Sequence, residues 1–185
     1  MDVFEAIYHR HSQKKVKQDS VPRQVIEKLL DAAVQAPNHY KVRPWRFVVL
    51  TGNAREKLGE VMAASLQDRQ PDFPQEAFDK ARMTPLQAPV VIAVGVEKPT
   101  EPKVLEIENI CAVAAATENL LLAAHALGLG AKWRTGEWAG DRKVKDFLGF
   151  EPDQSIVGFI YIGYPEYIAE YPQRPSFEDR TVWME

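Results

Sequence analysis

The sequence predicts a single domain, residues 1–185, that mixes helices with strands. Two apolar patterns support this prediction. Apolar stripes that recur every three or four residues are typical of amphipathic helices, and short continuous apolar runs are typical of buried strands. The chain has 185 residues, of which 45% are hydrophobic, so it is long enough to bury one core.

The first half of the chain contains five predicted elements and then a polar surface segment at 67–75. The five elements are a helix over 3–8, an extended segment over 12–17, a helix between Pro22 and Ala36, a strand over 46–51 and a helix over 54–66. The first helix places Val3, Phe4, Ile7 and Tyr8 on one face. Pro22 is tolerated in a first helical turn, and Pro37 disfavours helix at the residue before it.

The second half contains five predicted elements and an irregular tail. They are a buried strand over 89–96, an alanine-rich helix over 105–127 stopped by Gly128, a short strand over 131–134, a helix capped by Asp141 and stopped by Gly149, and a strand over 156–162. The alanine-rich helix is apolar around most of its circumference, so we expect it to lie at a subunit interface. The tail is proline-broken and aromatic, which is typical of an arm that wraps over a partner.

Composition and charge exclude several classes of protein. The net charge is -3, so no global basic field favours nucleic acid. The one cysteine, Cys111, excludes an intrachain disulfide, and we expect it to be a packed thiol in a reducing compartment, the cytoplasm. We find no signal peptide and no uninterrupted apolar run long enough for a membrane span.

Three short clusters combine cations with hydroxyl or aromatic side chains. They are Arg10-His11-Ser12-Gln13-Lys14, Arg43-Pro44-Trp45-Arg46 and Lys132-Trp133-Arg134-Thr135-Gly136. In an extended chain, Arg10, Ser12 and Lys14 point to one side, which forms a surface suited to an anion. Together the clusters predict a large planar ligand with an anionic tail. Arg10, Ser12 and Arg134 are suited to hold a phosphate, and Arg174 is a further candidate.

Other chemistries lack their motifs. No Gly-x-Gly-x-x-Gly follows a strand, no Walker loop occurs, and the four histidines and one cysteine show no metal-ligand spacing. No Gly-x-Ser-x-Gly nucleophile is present. His39 lies in a loop beside the proposed ligand residues, where functional residues are common, whereas His125 lies within a helix and is expected to be structural.

The clusters, read in order, resemble the FMN-dependent nitroreductase family, and most of all its small single-domain YdjA-type members. The resemblance is carried by Arg10-His11-Ser12-Gln13-Lys14, by the run from Ala36-Pro37 to Pro44-Trp45, and by Gly128-Leu129-Gly130 leading into Lys132-Trp133-Arg134-Thr135-Gly136. It implies an α+β sandwich whose central mixed or antiparallel sheet is flanked by helices. It also implies an intertwined homodimer with an extended C-terminal arm and two FMN sites at its interface.

The resemblance further implies roles for individual residues. Arg10 and Ser12, in a motif that includes His11, would hold the FMN phosphate and ribityl end, and Lys14 would lie near the N1–C2 edge of the flavin. His39 would reach the flavin from the second subunit, with Gln35 nearby. The other side of the flavin would be lined by Trp133, Arg134 and Thr135. Arg174, in the tail, would approach the phosphate.

Loop 38–41 is bulkier and more basic than in many relatives. Tyr40 and Lys41 would therefore form a tight substrate pocket that favours anionic partners. No catalytic side chain is required, because the flavin carries the hydride. A cation such as Lys14 beside the flavin would favour its reduced, negatively charged form.

The resulting hypothesis is an FMN-dependent oxidoreductase with a ping-pong mechanism. NADH or NADPH would donate electrons to an electrophilic acceptor such as a nitroaromatic compound or a quinone. Three alternatives remain open: a flavin enzyme of another reaction type, such as dehalogenation or flavin fragmentation; a non-catalytic dimer that binds FMN or a nucleotide as a sensor; and an RNA-binding module that stacks bases on Tyr40 and Trp45.

Overall fold

The structure is a computed structural model, and it describes residues 1–167, 170–171 and 173–185. The helices in these ranges are α1 (Val3–His9), α2 (Arg23–Ala33), α3 (Asn53–Arg69), α4 (Gln75–Met83), α5 (Glu106–Ala126), α6 (Glu137–Gly140) and α7 (Arg142–Leu148). The strands are β1 (Trp45–Thr51), β2 (Val90–Val96), β3 (Gly130–Arg134) and β4 (Ser155–Gly163).

The four strands form one antiparallel sheet in the order β1-β2-β4-β3. The extended segment that follows α1 lies beside the β3 edge, where Ser12 forms a parallel bridge with Ala131. Val16 continues the contact through an antiparallel bridge with Pro165. The first cation cluster is therefore attached to the rim of the sheet.

Helices cover both faces of the sheet because its central strands are buried on both sides. Alternate residues of β2 point to opposite faces. Val90, Ile92 and Val94 pack in a cluster with α2 and α5, whereas Val91 and Ala93 pack in a second cluster with α3, α4 and α7. The predicted α+β sandwich is confirmed, and its sheet is antiparallel rather than mixed.

The predicted polar surface segment 67–75 is confirmed over residues 70–74 and is wrong at both ends. Helix α3 continues to Arg69, and α4, which was not predicted, begins at Gln75 directly after Pro74. Polar residues on the solvent side of a helix do not end it, and Pro74 acts as the residue before a first turn rather than as a loop residue. Only residues 70–74 connect the two helices.

Two predicted ends of α7 agree with the structure. The Asp141 carboxylate accepts a hydrogen bond from the backbone N–H of Val144 at 3.0 Å, which satisfies a donor of the first turn. Gly149 ends the helix with φ 73°, a left-handed conformation in which glycine has no steric penalty.

One stripe of α5 is left uncovered. Leu105, just before the helix, and Ile107 in its first turn are 61% and 59% exposed, and Cys111 is exposed one turn further on. The prediction that Cys111 is a packed thiol is therefore wrong within the single chain, because its side chain lies on this open stripe and not on the face that packs against the sheet. By length and apolar composition α5 could cross a membrane, contrary to our expectation, but its opposite side packs in the core.

Further apolar surface is exposed on α1 and on the tail. Phe4 and Tyr8 on α1 are each 64% exposed, so the apolar face of this helix points away from the core. Phe177 and Trp183 in the tail are also exposed. The predicted arm runs from 164 to 185, so residues 168, 169 and 172 of it lie outside the described residues.

Candidate functional site

A row of polar side chains runs along the β3 edge of the sheet. Ser12 is level with Ala131 through their bridge, and the backbone N–H of Gln13 donates to the Ala131 carbonyl at 3.0 Å. Gln13 is buried, whereas Ser12 and Lys14 are exposed on the other side of the extended segment. The backbone of the rim therefore presents Ser12 and Lys14 to the same side.

Arg10 marks the α1 end of this row. Its side chain is only 18% exposed, and its Nε lies 3.2 Å from a carboxylate oxygen of Glu118 on α5. The tail reaches the same place, because Arg174 donates a hydrogen bond to the Arg10 carbonyl oxygen at 2.7 Å. The Arg174 guanidinium thus reaches the backbone of Arg10, which brings a second cation, distant in sequence, to this end of the row.

A second group of cations lies toward the other end of β3. Lys14 and Lys132 share a small pocket with Gln87 and Tyr161. Arg134 donates to Gln87 Oε1 at 3.0 Å and its guanidinium carbon lies 5.3 Å from the centre of the Tyr161 ring. Burial raises the pKa of the Tyr161 phenol, and the nearby guanidinium works against that shift.

The two groups of cations lie at opposite ends of the row. The bridge between Ser12 and Ala131 places Arg10 level with Leu129, about 16 Å along the strand from Arg134 at 3.3 Å per residue. In one chain the Arg10 guanidinium contacts Glu118 and the Arg134 guanidinium contacts Gln87, and the expectation that Arg10, Ser12 and Arg134 hold a single phosphate stays a prediction. A ligand as long as the row, with its anionic end at Arg10 and Arg174, fits the same residues.

Trp133 and Thr135 have different surroundings from Arg134. Trp133 donates its indole N–H to the Val157 carbonyl at 2.9 Å and packs over Gly158, so it belongs to the sheet rather than to the row. Thr135 follows β3 and is exposed. Of these two residues, Thr135 is exposed and Trp133 is half-buried.

His11 lines a cavity of 230 Å³ together with Arg10 and His125. One imidazole nitrogen of His11 lies 2.9 Å from the His9 carbonyl oxygen and the other lies 3.2 Å from Gln13 Oε1. His125 lies within 6.3 Å of the His11 ring, and burial, reinforced by the nearby histidines and Arg10, lowers its pKa. His11 therefore supports the backbone of the row, and burial disfavours the charged form of His125.

His39 lies far from the row within the same chain. Its Nδ1 is 3.4 Å from Glu108 Oε1 near the start of α5, and the other Glu108 oxygen accepts the Leu105 N–H at 2.8 Å. His39, Glu108 and Cys111 line a cavity of 540 Å³ along the open stripe of α5. Gln35 is exposed in the turn after α2 and donates to the Asp31 carbonyl of that helix.

The spacing along α5 measures how far apart these groups lie. Arg10 contacts Glu118, and His39 contacts Glu108, ten residues and about 15 Å earlier on the same helix. One copy of the chain therefore does not bring His39 to the row.

The loop after His39 is backbone-strained. Tyr40, Lys41 and Arg43 have φ angles of 48°, 58° and 51°, a left-handed conformation that costs a non-glycine residue about 1–2 kcal/mol each. Tyr40 and Lys41 line a cleft of 460 Å³ with residues of the segment before α5. The sequence identified the loop by its bulk and charge, and the structure adds its strain.

Several residues of the site have no local sequence signal. Glu118, Glu108, Gln87 and Tyr161 meet the predicted residues only through contacts over 27 to 108 positions of sequence. Lys132 was part of a recognised cluster, but only the pocket shared with Lys14 places it in the row.

Comparisons with known proteins agree on one family. The Nitroreductase family model matches residues 7–164. YdjA of Escherichia coli K12, whose name describes it as an NAD(P)H nitroreductase, is 30% identical over 171 residues, which is 90% of each chain. A nitroreductase-like protein of Bacillus cereus has a TM-score of 0.86 at 25% identity, covering 100% of this chain and 97% of that one. A Desulfovibrio desulfuricans homologue crystallised with FMN has a TM-score of 0.73 at 26% identity over 100% and 97% of the two chains.

Proposed function

Because the chain belongs to the nitroreductase family, we propose that it is an FMN-dependent oxidoreductase that transfers electrons from NADH or NADPH to a quinone or a nitroaromatic compound. With a quinone, the balanced reaction consumes one NAD(P)H and one proton and yields NAD(P)⁺ and the hydroquinone. Donor and acceptor use one site in turn, which is a ping-pong mechanism. Two observations support this proposal: the FMN-bound relative and the row of polar side chains along the β3 edge.

The residues of the row fit FMN by their chemistry. Arg10 and Arg174 supply guanidinium groups for a phosphate, and the atom of Arg10 that contacts Glu118 is Nε. Ser12 supplies a hydroxyl for the ribityl chain. Lys14 and Arg134 supply cations for the polar edge of the ring system. When bound, FMN supplies hydride transfer, and the protein supplies orientation and charge.

The side chains of the row then have separate tasks. The two arginines would hold FMN by its phosphate. This would keep the ring end of FMN beside Lys14 and Arg134. Lys14 stabilises negative charge at that end because a nearby cation lowers the energy of an anion. No side chain has to act as a nucleophile, which agrees with the lack of a nucleophile motif in the sequence.

We propose a homodimer in which His39 of one protomer reaches the row of its partner. The support is the 15 Å gap along α5 together with the exposed apolar residues of α5, α1 and the tail. Ile107→Glu is expected to dissociate the dimer in analytical ultracentrifugation and to release FMN. Phe147→Glu is the matched control, because Phe147 is a 38% exposed apolar residue of α7, on the other face of the sheet. A monomeric wild-type protein that retains FMN would contradict the shared site.

The function is tested by spectroscopy and turnover. Purified protein is expected to be yellow, to be bleached by NADH or NADPH without oxygen, and to oxidise the donor steadily once 1,4-benzoquinone is added. A colourless protein that cannot be reconstituted with FMN would refute the proposal. Bound flavin that neither donor reduces would indicate the sensor alternative, and product analysis separates other flavin reactions.

A further inference from the structure

We propose that the cleft at residues 40–43 selects electron acceptors that carry an anionic group, such as aromatic carboxylates. The acceptor cleft is lined by Tyr40, Lys41, Val42, Thr100, Glu101 and Lys103. The inference rests on the proposed oxidoreductase function and adds the class of acceptor to it. Three observations support it: the strained backbone, the charges of the lining and the size of the cleft.

The strained backbone is the first observation. Three non-glycine residues within four positions, Tyr40, Lys41 and Arg43, have positive φ. Such strain persists only where surrounding contacts hold it, and it concentrates at functional sites. Here the Asn38 side chain accepts the Arg43 N–H at 2.9 Å, which fixes the turn. The turn leaves Tyr40 66% exposed and Lys41 exposed, so both side chains remain available to a ligand.

The charges of the lining are the second observation. Within the described part of the chain, Lys41 and Lys103 make no ion pair shorter than 4.0 Å, whereas the neighbouring Lys98 is paired with Glu106 at 2.8 Å. The cleft carries a net positive charge, because its lining has two lysines and one glutamate, Glu101. The protein as a whole has a net charge of -3. The local field therefore attracts an anion.

The size of the cleft is the third observation. Its volume of 460 Å³ lies within the range of small-molecule sites, and Tyr40 offers an aromatic surface for a planar ring. The residue before it, His39, contacts α5 beside the open stripe that we assign to the dimer interface. A ring on Tyr40 would thus lie near the shared flavin site, with its carboxylate at Lys41 and Lys103.

A matched pair of acceptors tests the inference. The ratio of kcat/KM for 4-nitrobenzoate to that for 4-nitrobenzyl alcohol is measured with NADH on the FMN-loaded protein. Lys41→Ala and Lys103→Ala are each expected to lower this ratio by about two- to fivefold, the effect of one exposed charge contact. Glu101→Gln is expected to raise it, and added salt to lower it in the wild type. Lys57→Ala, an exposed lysine of α3, is the control and should leave the ratio unchanged.

Each outcome decides between the claims. If both acceptors turn over but no lysine variant changes the ratio, the inference is overturned while the oxidoreductase function stands. If the lysine variants change only the preference for NADPH over NADH, the cations bind the donor phosphate and the inference is again wrong. If neither nitro compound nor 1,4-benzoquinone is reduced, the proposed function itself fails.

Discussion

Removal of the Arg10 guanidinium should weaken FMN much more than riboflavin. Arg10→Ala deletes the donors that we assign to the FMN phosphate, and riboflavin has the same ring and ribityl chain without that phosphate. Arg10 is only 18% exposed, so solvent screens its contacts little. Hydrogen bonds to a charged group contribute about 1.5–3 kcal/mol, which corresponds to a loss of roughly 10- to 150-fold in FMN affinity.

The assay is titration of the apoprotein with each flavin, followed by flavin fluorescence. Riboflavin affinity should change less than about threefold in Arg10→Ala, because the deleted group does not face the ring. Arg23→Ala serves as the control, since Arg23 is an arginine with a 90% exposed side chain on α2 that pairs with Glu27 of its own helix. Equal losses for both flavins would show that Arg10 acts through the fold, and unchanged FMN affinity would remove it from the site.

Three further predictions concern charge, packing and pH. Lys14→Ala should lower the two-electron flavin potential by roughly 20 mV, because an exposed cation contributes about 1 kcal/mol. Anaerobic titration against a reference dye measures the potential, and an unchanged value would place Lys14 away from the ring. Gly95→Ala places a Cβ 2.0 Å from the buried Phe150 ring and should lower the free energy of unfolding by about 1–3 kcal/mol, a Tm loss of roughly 2–12 °C. Gly140→Ala is the control, because its Cβ meets open space and stability should not change. Burial lowers the pKa of His125, so the unfolded chain takes up its proton first and stability should fall as pH drops below about 6.5; thermal melts of His125→Gln should lose that dependence.

Local patterns in the sequence predicted most of the elements. The continuous apolar run at 89–96 became the fully buried strand β2, and the Asp141 and Gly149 signals matched the ends of α7. Helix α4 was missed because its apolar residues are few and a run of polar residues and prolines precedes it. Whether such a segment folds as a helix depends on packing of Phe78 and Ala81 under the sheet, which is not a local property.

The sequence by itself determined which residues could meet an anionic, planar ligand, because charge and hydrogen-bonding capacity belong to side-chain type. Only the tertiary structure decided how they are arranged. The bridge between Ser12 and Ala131 ordered them into a row and separated Arg10 from Arg134. A hydrogen bond from the tail brought Arg174 to Arg10. The tertiary structure also left Cys111 exposed on α5 and gave Tyr40 a positive φ. Distances between remote residues follow from strand pairing and helix packing across the whole core, and no short stretch of sequence contains that information.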